Sequence, residues 1–165
     1  MATESAAGVR LVPPPPRWVL RTMNHVMRPL LASSLGRRMD GVMLLEFQGR
    51  RSGRTIRVPV NLNRVDGVLM AFTEGPWRHN FATRIPLTVT YRGRTHHTHG
   101  TLVRLTPEEM GAAVRKSLDS GGSAQRMGIR SPKGHEPTAA ELAALGAALG
   151  RCVIRLELES ASLDE

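Results

Sequence analysis

The chain of 165 residues has one cysteine, Cys152, and only six aromatic residues apart from histidine. A single cysteine excludes an internal disulfide and any cysteine-based metal cage. With aromatics at 4%, the stacking platforms that single-strand nucleic-acid binders use are scarce, so a nucleic-acid partner is not expected. No run approaches the roughly twenty apolar residues of a membrane span. Met1–Ser5 lacks the basic and then apolar pattern of a secretory signal. The expected location is therefore the cytoplasm. Glycine patterns of phosphate loops and dinucleotide folds are absent, and no serine sits in a nucleophile elbow. Lysine is nearly missing too: only Lys116 and Lys133 are lysines, against a formal net charge of +9. The positive charge is almost wholly arginine, which suits planar anions. Charge of this size favours anionic partners.

The organising stretch is Gly49-Arg50-Arg51-Ser52-Gly53-Arg54. The apolar run Val42–Phe47 precedes it. After it, Ile56, Val58, Val60 and Leu62 alternate with Arg57, Pro59 and Asn61, the period-two pattern of a half-buried strand. The stretch is thus a basic turn between two strands. Successive amides in such a turn can form a concavity for anions, and Arg50, Arg51 and Arg54 can grip phosphate or carboxylate. The same features also describe a solvated hairpin loop.

Along the chain, residues 1–16 read as a flexible arm ending in four prolines, a polyproline II segment. Residues 17–35 read as an amphipathic helix with Trp18 near its start. Its basic face makes membrane-surface contact conceivable on the inner side of the cell membrane, beside ordinary packing on its own domain. A barrel domain follows over 40–159, then a polar tail over 160–165. Asp66-Gly67 is a hairpin signal, Val68–Phe72 a third strand, and Pro76–Phe81 one helical turn. Leu87–Tyr91 and Thr95–Leu105 are further strands. Five strands with short links predict a small, mostly antiparallel barrel or curved sheet, α+β in class. Thr106-Pro107-Glu108-Glu109 and Thr138-Ala139-Ala140-Glu141 each read as a capping box opening a helix. The Gly-, Ser- and Pro-containing loop 121–137 lies between these helices. Cys152–Leu158 is a last strand, with Cys152 as inert core.

His96, His97 and His99 invite a metal reading, but nothing nearby completes a ligand set, and no metal is expected. What remains is a basic turn, an apolar barrel and an aromatic beside a glycine-proline break. Hydride transfer from a planar anionic cofactor leaves few acid–base marks in a sequence, because the protein mainly orients the cofactor.

Leu44–Gly53 followed by Pro59, then Pro76-Trp77-Arg78-His79-Asn80-Phe81, then the Leu87–Arg94 hairpin, resembles the deazaflavin-dependent nitroreductase family. That family carries Gly-Arg-Lys/Arg-Ser/Thr-Gly, a proline-bearing strand and Trp-x-x-Asn-Leu/Phe in this order. The resemblance spans about residues 40–105. It implies a split β-barrel of the FMN-binding-like class, with a helix ahead of it, and binding of the reduced deazaflavin coenzyme F-420. Carried over by position, Arg50, Arg51, Ser52 and Gly53 meet the phosphate of the cofactor. Pro59, Phe72 and Thr73 border the deazaflavin ring, and Trp77 and Asn80 complete the wall. The implied reaction is hydride transfer to an oxidised apolar small molecule, a quinone or nitro compound. No catalytic residue is assigned.

Two positions depart from the family. Ile56 stands where it has an arginine, with Arg57 one place on. The only tyrosine is Tyr91, in a strand, whereas the family uses tyrosines in the later loop; here residues 121–137 offer Ser123, Arg126, Arg130, Lys133 and His135. Two other readings of the barrel stay open: a non-catalytic carrier of a fatty acyl or other anionic lipid, and an FMN or heme protein. An oligomer is compatible with all of them.

Overall fold

The structure is a computed structural model, and it describes residues 8–12, 40–145 and 152–163, with positions 29 and 148. The helix expected over 17–35 lies, Pro29 apart, outside the described residues, as does the expected helix end at Gly150.

The strands are β1 Arg10–Leu11, β2 Val42–Gln48, β3 Thr55–Asn61, β4 Asn63–Val65, β5 Val68–Phe72, β6 Ile85–Tyr91, β7 Arg94–Arg104, β8 Ile129–Arg130 and β9 Cys152–Glu159. The helices are α1 Pro107–Asp119 and α2 Ala139–Ala144, with 3-10 helices at Pro76–Phe81 and Ser160–Leu163. Seven strands form one antiparallel sheet in the order β3-β2-β6-β7-β9-β5-β4. The class is α+β. Among the described residues, no helix is long and apolar enough to cross a membrane.

The chain itself curls this sheet. β3 and β4 are its two edges, yet only Leu62 separates them in sequence. A flat seven-stranded sheet is roughly 29 Å wide at about 4.8 Å per gap. Asn61 and Asn63 are two Cα steps apart, a reach of about 7 Å. The edges can meet only if the sheet bends into a half-barrel. The strand expected to run through Leu62 is therefore broken there. Leu62 is buried and its N–H donates to the Gly41 carbonyl at 2.9 Å, extending the β2–β3 ladder as the chain turns the corner.

Strand register sorts the side chains. The pairs Met43/Val60, Leu45/Val58, Phe47/Ile56, Leu45/Val89 and Leu102/Ile154 share the concave face. With Phe81, Leu69 and Leu156 they form the first core. Leu44/Pro59, Glu46/Arg57, Thr88/His97 and Phe72/Val153 share the convex face. Part of that face is covered by α1, α2 and the β1–β8 ribbon, which form a second core with Val153, Met70 and Phe72. Met110, Ala113, Val114 and Ser117 are the buried stripe of α1, at the spacing of one helical face. Both capping boxes are present, at Thr106/Glu109 and Thr138/Glu141.

The fully buried Ser117 hydroxyl donates to Asn63 Oδ1 at 3.1 Å, and Asn63 Nδ2 donates to the carbonyls of Asn61 and Met70. Buried polar groups are tolerable when satisfied in this way, and the network pins α1 to β4.

Two segments read as peripheral from sequence are built into the fold. Within 1–16, Val9 is buried and Arg10–Leu11 pairs with β8, itself inside the loop 121–137. Within 160–165, Leu163 is buried in the first core. Val9 and Leu11 in the first segment and Leu163 in the second are buried, but so few apolar residues give a weak signal by pattern alone.

Candidate functional site

The turn Gly49–Arg54 is closed by its own backbone. The Gly49 N–H donates to the Arg54 carbonyl at 2.8 Å, and the Gly53 N–H to the Gly49 carbonyl at 2.7 Å. Gly53 has φ +62, the left-handed region that favours glycine. At Gly49 a Cβ would lie 2.8 Å from Ser52 Oγ, 3.0 Å from Ile56 Cδ1 and 3.3 Å from the Arg54 carbonyl oxygen, so any larger residue there obliges the Ser52 and Ile56 side chains to give way. The Ser52 hydroxyl accepts from the Arg54 N–H at 3.3 Å and keeps its own proton to donate.

Most amides of the turn are therefore used. The Arg50 N–H goes to Asn80 Oδ1 at 2.8 Å. Among the described residues, the N–H groups of Arg51 and Ser52 have no partner. The expected concavity of successive amides reduces to these two neighbours. Arg50, Arg51 and Arg54 are exposed and form no ion pair among the described residues.

Beside the turn lies a cavity of about 560 Å³, lined by Gly49, Arg50, Arg51 and Ser52 on one side and by Ile56, Pro76, His79 and Asn80 on the other. Pro76 starts the 3-10 helix that supplies His79 and Asn80. Trp77 anchors that helix. Its ring lies 6.0 Å from those of Phe47 and Phe81, which are themselves 4.7 Å apart edge to face. Asn80 Nδ2 donates to the Trp77 carbonyl at 2.8 Å while its oxygen holds the turn. The Trp-x-x-Asn spacing thus has a direct physical meaning: one residue packs the core, and the other clamps the basic loop.

The structure brings Arg50, Arg51, Ser52 and Asn80 together at this cavity, with Gly53 in the turn behind and Trp77 as the support below. Phe72 and Thr73 line a different cavity, of about 190 Å³, with Asn61, Asn63, Arg126 and Met127. The Phe72 ring faces the convex side and packs in the second core. Pro59 lies on the convex face opposite Leu44, in an edge strand where a missing N–H is tolerated. These three residues do not border the cavity at the turn. The two cavities sit at opposite ends of β3, one at Ile56 and one at Asn61. At about 3.4 Å per residue these positions are roughly 17 Å apart.

Arg57 lies on the convex face and pairs with Glu46, so it points away from the concave side that Ile56 occupies. In the 121–137 loop, Ser123 and Arg126 line a cavity, Arg130 is taken up in β8, and His135 Nε2 bonds both oxygens of Glu141 at 3.0 Å. His97 and His99 are on the convex face, and His97 Nδ1 lies 3.4 Å from Thr88 Oγ1. Among the described residues, no three His, Cys, Asp or Glu side chains are placed to hold a metal. Ile56 and Pro76 also line the cavity outside the expected set, and the polar addition that sequence reasoning did not single out is His79. Its signal is its place beside Asn80 on the same short helix.

No family model matches the chain, and no curated protein matches it.

Proposed function

We propose that the chain is a split β-barrel reductase that binds the reduced deazaflavin coenzyme F-420 and reduces an apolar small molecule. The observation that carries this reading is the turn Gly49–Arg54. Among the described residues it offers two unpartnered amides and, in Arg50 and Arg51, two arginines without ion pairs on the wall of a cavity of about 560 Å³. That size is within the range of roughly 300–1,000 Å³ usual for ligand pockets. The split-barrel form of the fold is supported by the curled sheet whose edges join through Leu62.

The donor set fits an anionic tail. Arg50 and Arg51 can bind an oxyanion by charge-assisted hydrogen bonds, with the Ser52 hydroxyl and the two amides beside them. Ile56 and Pro76 are the apolar wall for a flat ring and keep water from one side of it. When bound, the reduced deazaflavin supplies a hydride to the acceptor. The balancing proton comes from solvent through the open cavity, and His79 is the one lining side chain suited to relay it. Asn80 keeps the turn in place throughout.

The test is equilibrium titration. Affinity for F-420 should exceed that for flavin mononucleotide and fall with salt. Arg51→Ala should weaken binding tenfold to a hundredfold, since a charge-assisted hydrogen bond contributes about 1.5–3 kcal/mol and about 1.4 kcal/mol is one decade. Equal or tighter binding of flavin mononucleotide would overturn the cofactor assignment. A second reading, a non-catalytic carrier of an anionic lipid, gains support because Pro59 and Phe72 do not line the cavity at the turn. A co-purifying fatty acid, with no oxidation of saturating reduced cofactor by quinone or nitro acceptors, would establish the carrier instead.

A further inference from the structure

The part of the convex face formed by β2, β6 and β7 carries a cavity of about 300 Å³. Its form follows from residue size. β6 lies between β2 and β7 and offers only Pro86 and Thr88 to this face, while Glu46 and Gln48 stand on one side and His97 and His99 on the other. Register puts Glu46, Thr88 and His97 in one row across the strands, and Pro86 beside His99 in the next. Small side chains between larger ones leave a trough along β6. It shares none of its lining with the cavity beside the Gly49–Arg54 turn.

Residues two apart in a strand point to one face, with Cα atoms about 7 Å apart. His97 and His99 therefore stand side by side as one wall of the trough. Both rings turn Nδ1 toward an oxygen. His97 Nδ1 lies 3.4 Å from Thr88 Oγ1, and His99 Nδ1 lies 4.0 Å from Glu157 Oε2. Glu157 is itself fixed, because Arg84 donates to its two oxygens at 2.6 and 2.7 Å. An oxygen beside one ring nitrogen favours the tautomer with its proton there, which leaves the lone pair on Nε2. Metal-binding histidines are oriented in the same way, by an acceptor on the nitrogen that does not bind. Among the described residues, neither Nε2 has a hydrogen-bond or ion-pair partner.

We propose that His97 and His99 together bind one late divalent transition-metal ion through their Nε2 atoms, with water in its remaining positions. Imidazole suits copper, nickel and zinc, and copper(II) binds such donors most tightly. The trough leaves room for the water ligands. Glu46 is paired with Arg57 and is not needed as a ligand. Two protein donors, rather than the three or four of catalytic and structural sites, make this an exchangeable surface site. It stands apart from the reductase reading and does not depend on it.

The test titrates the full chain with copper(II) alone, in a buffer that does not coordinate it, and repeats the titration with His97→Gln and with His99→Gln. Loss of an orienting partner alone typically weakens a metal site about tenfold or more, so loss of either imidazole should cost at least that. Pulsed electron paramagnetic resonance should show two imidazoles on the copper in the parent and one in each variant. Equal affinity in the parent and either variant, or a parent spectrum without two imidazoles, overturns the proposal. If a variant does not fold, diethyl pyrocarbonate labelling of the unsubstituted protein gives the answer. Copper(II) should protect both His97 and His99, and equal labelling with and without the ion counts against the site.

Discussion

The side-chain oxygen of Asn80 accepts the backbone N–H of Arg50 at 2.8 Å across thirty residues of sequence. Its amide nitrogen donates to the Trp77 carbonyl at 2.8 Å. One side chain therefore joins the basic turn to the 3-10 helix, and that helix to the first core through Trp77.

Asn80→Ala removes both bonds. Each contributes about 0.5–1.5 kcal/mol, so a loss of roughly 1–3 kcal/mol is expected in urea unfolding, with weaker anion binding at Arg50 and Arg51. Asn80→Asp keeps the acceptor for Arg50 but loses the donor and adds a negative charge. It should be nearer the parent in stability and worse in anion affinity. Unchanged affinity in both variants would show that the clamp does not position the turn.

The two helices of the second layer meet at Gly111. A Cβ there would lie 2.6 Å from the Ala139 carbonyl oxygen and 2.6 Å from the Ala143 nitrogen. These are backbone atoms and cannot swing aside. Alanine normally gains about 1 kcal/mol over glycine inside a helix. Overpacking typically costs about 1–3 kcal/mol, and the unyielding contact places Gly111→Ala at the upper end. Net destabilisation of about 1–2 kcal/mol is expected in denaturant melts. A stabilised variant would mean that α1 and α2 separate easily.

Glu141 supplies a pH dependence. Its carboxylate is held below the ordinary value of 4.5, chiefly by the Thr138 N–H, with further help from His135 and the Thr138 hydroxyl against opposing desolvation. A lowered folded-state value stabilises the fold above the unfolded value, and this contribution disappears as pH falls through the folded one. Glu157 is shifted the same way, first by its hydrogen bond from Arg84, so acid weakens the whole domain. Comparison with Glu141→Gln isolates the cap. The parent should be the more stable at pH 7, and the gap should narrow below about 4.5. A gap that stays constant down to pH 3 would refute the assignment.

Much of the fold was legible because local chemistry and tertiary structure agree. Val58 and Val60 alternate with Arg57 and Pro59, and they do lie on opposite faces of β3. The Thr106 and Thr138 caps form as read. The Asp66-Gly67 turn joins β4 to β5. These are contacts between residues a few positions apart, where steric and hydrogen-bonding preferences act directly.

The candidate site was legible only in part, because a site is a relation between distant residues. The basic turn could be read as a turn, but the loss of its Arg50 amide to Asn80 could not. Pro59 and Phe72 have the residue types of a ring-lining wall, yet strand register turns both to the convex face. Shifting a strand by one residue exchanges its faces, and that register is set by pairing with β2 and β9. Composition and spacing settled the α+β class, the arginine-borne charge and the turn itself. Closure of the sheet through Leu62, the clamp at Asn80 and the trough that sets His97 and His99 across β6 from Glu46 and Gln48 were decided by long-range packing, which no local preference encodes.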